Sequence, residues 1–245
     1  MCGAWRNIRT PKGNGDETLT NNHIRLIYTT HIQPTVMSPI AFILGAGAHV
    51  GLAIANKFKQ EGYRVAVGSR KPLQQKGLVP ITVDVSNAGS VTKAFAEIKE
   101  KFGSAPNVII FNGSSRSIAS DYDLSQPADC RLPLHTAYAL TFPTVPSDPS
   151  TVELSVVKAS VDITVGLYAS TQQAVAGFRS LPADGSVPKT FTFTGNMLPF
   201  LPRDASWSVY LNLGLQKVDG AYLAEIFHIA YEKEGFRYGF LSLFP

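Results

Sequence analysis

Residues Pro39 to Phe58 read Pro-Ile-Ala-Phe-Ile-Leu-Gly-Ala-Gly-Ala-His-Val-Gly-Leu-Ala-Ile-Ala-Asn-Lys-Phe, and this stretch constrains the fold more than any other. An apolar run of strand type breaks at Gly45, after which Val50, Leu52, Ile54, Ala55 and Phe58 recur at helical spacing. The three glycines have separate tasks. Gly45 lets the chain leave the strand in a tight turn, Gly47 lets backbone amides approach an anion, and Gly51 lets the first helix pack against the sheet. The helix N-terminus then faces the anion. With His49 inside the turn, Gly45, Gly47, His49 and Gly51 are candidate positions for binding the diphosphate of a dinucleotide.

A second strand, Tyr63 to Gly68, follows at once and ends in Ser69-Arg70-Lys71. In a βαβ dinucleotide unit, an acid closing this strand accepts hydrogen bonds from the adenosine 2′-hydroxyl, whereas arginine accommodates a 2′-phosphate. Ser69 and two cations stand here, and Arg70 suits bidentate phosphate contact. The pattern favours NADP(H) over NAD(H). A solvated basic turn is the structural alternative.

The alternation continues with a strand at Leu78–Val83, a helix at Ser90–Phe102 and a strand at Val108–Phe111. A helix at about 151–180, a strand at 189–194, a helix at about 208–234 and a last strand at 238–244 complete it. Strands that are nearly continuously apolar and alternate with helices predict a single α/β domain, a doubly wound parallel sheet covered on both faces. A chain of 245 residues can bury such a core. The net charge of +4 is scattered among acids, so no nucleic-acid surface is implied. Cys2 and Cys130 show neither metal-ligand spacing nor a disulfide framework, which points to a reducing, cytoplasmic setting and no metal. No apolar run approaches the ~18 residues of a membrane span.

Residues 1–37 carry Arg6, Arg9, Lys12 and Arg25 among Gly, Asn and Thr without an apolar period. They are expected to lie outside the domain of residues 38–245. Organelle targeting and a true start at Met37 are both open readings, although Asp16 and Glu17 interrupt any leader. The Pro-rich segment from Ser114 to Ser150 has the length of a lid or an insertion, from which His135 or Tyr138 would reach over a site.

The order of motifs over about 40–244 resembles the short-chain dehydrogenase/reductase family. Gly45 to Gly51 match its Gly-x-x-x-Gly-x-Gly turn, except that His49 replaces the middle glycine; Asp84-Val85 match its adenine-contacting Asp-Val; Asn112-Gly113-Ser114 look like its Asn-Ala-Gly turn beside the cofactor. The resemblance implies a Rossmann-type fold, an oxidoreductase acting on a small carbonyl or imine, and a homodimer or homotetramer through the two long helices. It also implies a seventh strand, for which no sequence follows Pro245, leaving residues 238–244 as an uncovered edge.

The catalytic half departs from the pattern. The family's Tyr-x-x-x-Lys puts a proton donor four residues before a lysine that holds the nicotinamide ribose, but Leu213 precedes Lys217 at that spacing. The Thr194-Gly195-Asn196 corner and the Leu213-Gly214-x-x-Lys217 helix resemble an atypical fungal branch that lacks the tyrosine. Tyr210 stands two helical turns before Lys217, ~10.5 Å along the axis, too far to act on it directly. Lys217 shares a stripe with Gly214, Ala221 and Ala224; its ammonium either meets a ribose or snorkels to solvent. Asn196 or Thr194 is expected to bond a substrate oxygen, unless Gly195-Asn196 is only a turn. Lys217 and Asn196 are therefore the candidate catalytic residues. Positioned proton transfer contributes about 10²–10⁴-fold, so slow reduction survives a missing acid; a non-catalytic NADP(H)-binding sensor or partner subunit is the other reading.

Overall fold

The computed structural model describes residues 38–114, 148–200 and 210–242. The N-terminal tail, His135, Tyr138, both cysteines and the last three residues lie outside the described residues. In chain order the elements are β1 (Ile40–Leu44), α1 (Val50–Gln60), β2 (Arg64–Ser69), β3 (Val79–Thr82), α2 (Ala88–Phe102), β4 (Val108–Phe111), α3 (Leu154–Arg179), β5 (Lys189–Gly195), α4 (Leu211–Tyr231) and β6 (Phe236–Ser242). The strands form one sheet in the order β3-β2-β1-β4-β5-β6, every neighbour parallel. This is the Rossmann-type doubly wound sheet that the alternation predicts.

Period-two geometry sorts the β1 side chains. Ala41 and Ile43 join Val65, Val67, Val108 and Ile110 against α1. Ile40, Phe42 and Leu44 face a larger core built with α2, α3 and α4, in which Phe95, Ile98, Leu167, Phe178, Phe191 and Phe236 are buried. β1 is buried along its whole length, as a central parallel strand requires.

β5 departs from the expectation of continuous apolarity. Phe191 and Phe193 are buried in the helix-covered core, while Thr190 and Thr192 on the opposite side are half-buried. Among the described residues no helix lies over that side, so polar side chains are tolerated there.

Helix ends follow capping chemistry. α2 starts two residues before the expected Ser90 because the Asn87 side chain accepts from the Ser90 amide at 2.9 Å, and it stops at Gly103, which is left-handed at φ 72°.

Candidate functional site

In this topology β1 lies between β2 and β4, and the crevice beyond their carboxyl ends is where ligands bind in open α/β sheets. Gly45 leaves β1 at φ 75°, and a Cβ there would come within 2.7 Å of the Asn112 and Gly113 backbone. The Gly45 and Ala46 amides both donate to the Gly68 carbonyl at 2.9 Å, and the Gly47 amide donates to the Gly45 carbonyl at 2.9 Å. Leu52 and Ala53 donate to the carbonyls of Gly47 and His49. None of these bonds uses the amides of Ala48, His49, Val50 or Gly51, and α1 has no acid in its first turn. The start of α1 therefore presents donors to an anion.

A Cβ on Gly47 would find nothing within 4 Å, so this glycine borders open space. Gly51 differs from expectation: its Cβ would lie 2.6 Å from Ala46 Cα. It seats the helix on the turn itself rather than on the sheet. His49 caps α1 by position only, since its side chain makes no capping bond.

At the end of β2, Arg70 and Lys71 are exposed. The Ser69 hydroxyl donates to the Lys71 carbonyl at 2.6 Å, so its proton shapes the turn. Asp84 accepts at Oδ1 from the Ser86 hydroxyl (2.7 Å) and amide (3.0 Å). These bonds hold its carboxyl below the ordinary range, and the charge of Arg70 acts in the same direction. An acid thus stands within electrostatic reach of Arg70, placed there by β3 rather than by β2.

The turn after β4 is a bracket. The Asn112 amide donates to the Leu44 carbonyl at 2.8 Å, and its side chain donates to the Gly45 carbonyl at 3.1 Å and accepts from the Thr194 hydroxyl at 2.8 Å. One side chain ties β1, β4 and β5 together, and it commits the proton of Thr194. Of the two expected partners of a substrate oxygen, Thr194 has its hydroxyl turned to Asn112 in this structure. Gly113 packs under Val85, whose Cγ2 would lie 2.8 Å from a Cβ there.

Lys217 sits on α4 beside the buried face formed by Asn212, Gln216, Gly220 and Ala224. Its Nζ donates to the Thr194 carbonyl at 3.0 Å. It borders a small recess walled by Phe111, Ile163, Leu167, Phe193 and Phe240. Burial in these apolar surroundings lowers its pKa to about 8. The lysine does not snorkel outward, and Gly214 is not part of its stripe: a Cβ there would meet nothing within 4 Å.

Asn196 follows β5, and its Oδ1 accepts from the Leu198 amide at 3.0 Å, leaving the side-chain nitrogen as the end it offers. Tyr210 sits at the N-cap of α4, two turns from Lys217.

No protein-family model matches the chain. A short chain dehydrogenase/reductase of Cryptosporiopsis sp. is 30% identical over 204 residues, which are 82% of this chain and 74% of that protein. The chain belongs to the short-chain dehydrogenase/reductase family. A 3-oxoacyl-(acyl-carrier-protein) reductase, MabA of Mycobacterium tuberculosis, is 32% identical over a shorter stretch of 75 residues, 31% of this chain and 30% of that protein. Among solved structures, the 3-ketoacyl-(acyl-carrier-protein) reductase of Brucella melitensis complexed with NADH aligns with a TM-score of 0.61 over 83% of this chain and 74% of that one, at 16% identity. A short chain dehydrogenase of Bacillus anthracis gives 0.59 over 84% and 73%, at 15% identity. At such identities the structural likeness concerns the fold.

Three features of this short-chain dehydrogenase/reductase escape a linear reading. Gly166 brings α3 onto Val85, Gly195 makes room for the Phe240 ring, and Gln216 lies buried beside Lys217, donating to Asn212 Oδ1 at 2.9 Å. The phenylalanine-threonine alternation ending in Gly195 was the available signal for the second. Nothing local marks the other two, because Gly166 meets the Val85 carbonyl 81 residues earlier and Gln216 also reaches Ser160 Oγ of α3 at 3.4 Å.

Proposed function

We propose that this chain is an NADP(H)-dependent oxidoreductase that reduces a small carbonyl or imine. The observation that carries this reading is Lys217, a buried ammonium anchored to the last turn of β5 and bordering the recess at the carboxyl edge of the sheet. The residues present fit a dinucleotide: the α1 amides and the open side of Gly47 suit the diphosphate, Arg70 with Ser69 suits a 2′-phosphate, and Asp84 and Val85 border the adenine side. Asn112 and Gly113 hold the floor. A bound nicotinamide supplies the hydride. Lys217 would hold the ribose, and the Asn196 side-chain nitrogen would hydrogen-bond a water that gives the proton to the carbonyl oxygen. Assembly through α3 and α4 in a cytoplasmic setting belongs to the same reading, since Val161, Val165, Tyr168, Tyr222 and Ile226 are exposed along them.

Fluorescence titration with NADPH and NADH tests the cofactor. Arg70→Asp is expected to weaken NADPH by about 10–100-fold, the worth of one charge-assisted hydrogen bond, and NADH far less. Equal losses for both nucleotides would remove the 2′-phosphate role. Gly47→Ala is expected to leave the melting temperature unchanged, because the added methyl meets nothing, and to weaken both nucleotides on the order of tenfold. Unchanged binding would mean that the diphosphate does not lie on this turn.

A non-catalytic NADP(H)-binding sensor or partner subunit is favoured by two observations: Leu213 stands where a phenol is expected, and the Thr194 proton is committed to Asn112. Nucleotide binding without consumption of any carbonyl in a broad panel would establish it over the enzyme.

A further inference from the structure

Between β2 and β3 the chain has no regular structure, yet it is fastened to α1 at successive points. Leu73, like Leu52 and Phe58 of α1, packs against the core on that side of the sheet. Gln75 Nε2 donates to Asn56 Oδ1 at 2.9 Å in a half-buried setting, and Lys59 Nζ donates to the Lys76 carbonyl at 2.7 Å. A Cβ on Gly77 would come within 2.7 Å of Lys59 Cε, so the loop backbone lies against that side chain. Leu52, Asn56 and Lys59 are spaced i, i+4, i+7, which puts them on one face of the helix.

The front of this segment carries Arg70. Ser69 is fixed in the sheet, its carbonyl accepting from the Val83 amide at 3.1 Å. Arg70 therefore stands in the short span from Ser69 to Leu73, closed at one end by β2 and at the other by the anchors on α1. The amides suited to the diphosphate open that same helix. One rigid element sets both the diphosphate end and the guanidinium end of the site.

We infer that Asn56 and Gln75 are positioning residues for the cofactor: their amide pair holds the segment that carries Arg70 and so presets the guanidinium for a 2′-phosphate. The inference deepens the NADP(H) reading and rests on it. Neither side chain is charged, so the pair acts on the ligand through the placement of Arg70 and not through its own field. A loop released from its anchor spends a smaller fraction of time in the competent arrangement, and apparent affinity falls by that fraction. NADH, which lacks the extra phosphate, is indifferent to it.

The test uses the full chain, the variants Asn56→Leu and Gln75→Leu, their double, and Arg70→Asp as the reference, in fluorescence titrations with NADPH and NADH. Each single amide variant is expected to weaken NADPH by about 3–10-fold, the scale of one part-buried neutral hydrogen bond, and NADH by less than about twofold. The double variant is expected to lose no more than either single, because both remove the same bond. Added to Arg70→Asp, Asn56→Leu is expected to leave the ratio of the two affinities where Arg70→Asp put it. Without nucleotide, trypsin cleavage after Arg70 and Lys76, followed by mass spectrometry, is expected to quicken about threefold or more in each single variant. A lowered melting temperature with an unchanged affinity ratio would make the pair structural only and overturn the inference. Additive losses in the double variant would also overturn it, and so would unchanged cleavage in both singles. If one single variant fails to melt cooperatively, the other decides. A ratio shifted by Arg70→Asp but by neither amide variant would remove the positioning role alone; a ratio untouched by Arg70→Asp would remove the 2′-phosphate reading and the positioning role with it.

Discussion

Replacing Gly166 with alanine is expected to destabilise the chain by more than about 3 kcal/mol, enough to lower its melting temperature by roughly 6–12 °C or to prevent folding. The added Cβ would come within 1.7 Å of the Val85 carbonyl oxygen and 2.8 Å of the Val85 carbonyl carbon. Both atoms are backbone, so no side-chain rotation relieves the overlap. Relief would require α3 or the segment after β3 to move by more than an ångström. α3 is fixed by Ile163, Leu167, Ala174, Val175 and Phe178, all in the main core, and close-packed interiors transmit such a shift rather than absorb it. Gly214→Ala is the matched control. It sits in α4 with open space around it, and removing a helical glycine is expected to stabilise by up to about 1 kcal/mol. Urea unfolding of the two variants beside the native chain measures the contrast. A Gly166→Ala protein as stable as the native one would mean that α3 does not rest on Val85.

The same comparison explains what the sequence could and could not disclose. Elements that are local in origin were legible. The apolar run from Ile40 to Leu44 and the 3.6-residue period of α1 need only neighbours along the chain, and alternation of such units leads directly to a parallel sheet. Gly45 was legible for a local reason too, since its left-handed backbone is a property of one turn. Gly166 and Gly195 were not, because what they make room for, the Val85 carbonyl and the Phe240 ring, is 81 and 45 residues away. Asn112 was readable as a turn but not as a clamp on Thr194, which arrives from another strand. The direction of Lys217 was ambiguous for a physical reason: a lysine stem packs equally well whether its end turns in or out. The hydrogen bond from Lys217 Nζ to the Thr194 carbonyl decides it.

Lys217→Met is expected to separate the functional role of the buried ammonium from its cost. The lysine pKa is about 8 in the folded chain and near the ordinary lysine value of 10.5 when unfolded. Between these values the unfolded chain binds more protons, so native stability rises with pH across that window and the rise is absent from the methionine variant. Below pH 8 both states are protonated, and the burial penalty is present in full, on the order of 3 kcal/mol from a shift of this size. The stability gap between variant and native protein should therefore be most favourable to methionine at pH 7 and should close toward pH 10.5. Catalysis is expected to move the opposite way. If the charged ammonium holds the ribose, kcat/KM with NADPH falls as pH rises through about 8 in the native chain. The methionine variant loses about 10²–10³-fold at pH 7 and shows no such inflection. Parallel urea titrations and NADPH-consumption profiles at pH 6.5 to 10.5 check both arms. A stability gap independent of pH would place the lysine head in water; full turnover in the methionine variant would leave the ammonium without a role in the chemistry. A residue retained at a thermodynamic loss that is recovered only in the liganded state is what a binding site requires, and the opposed pH trends are how that trade becomes measurable.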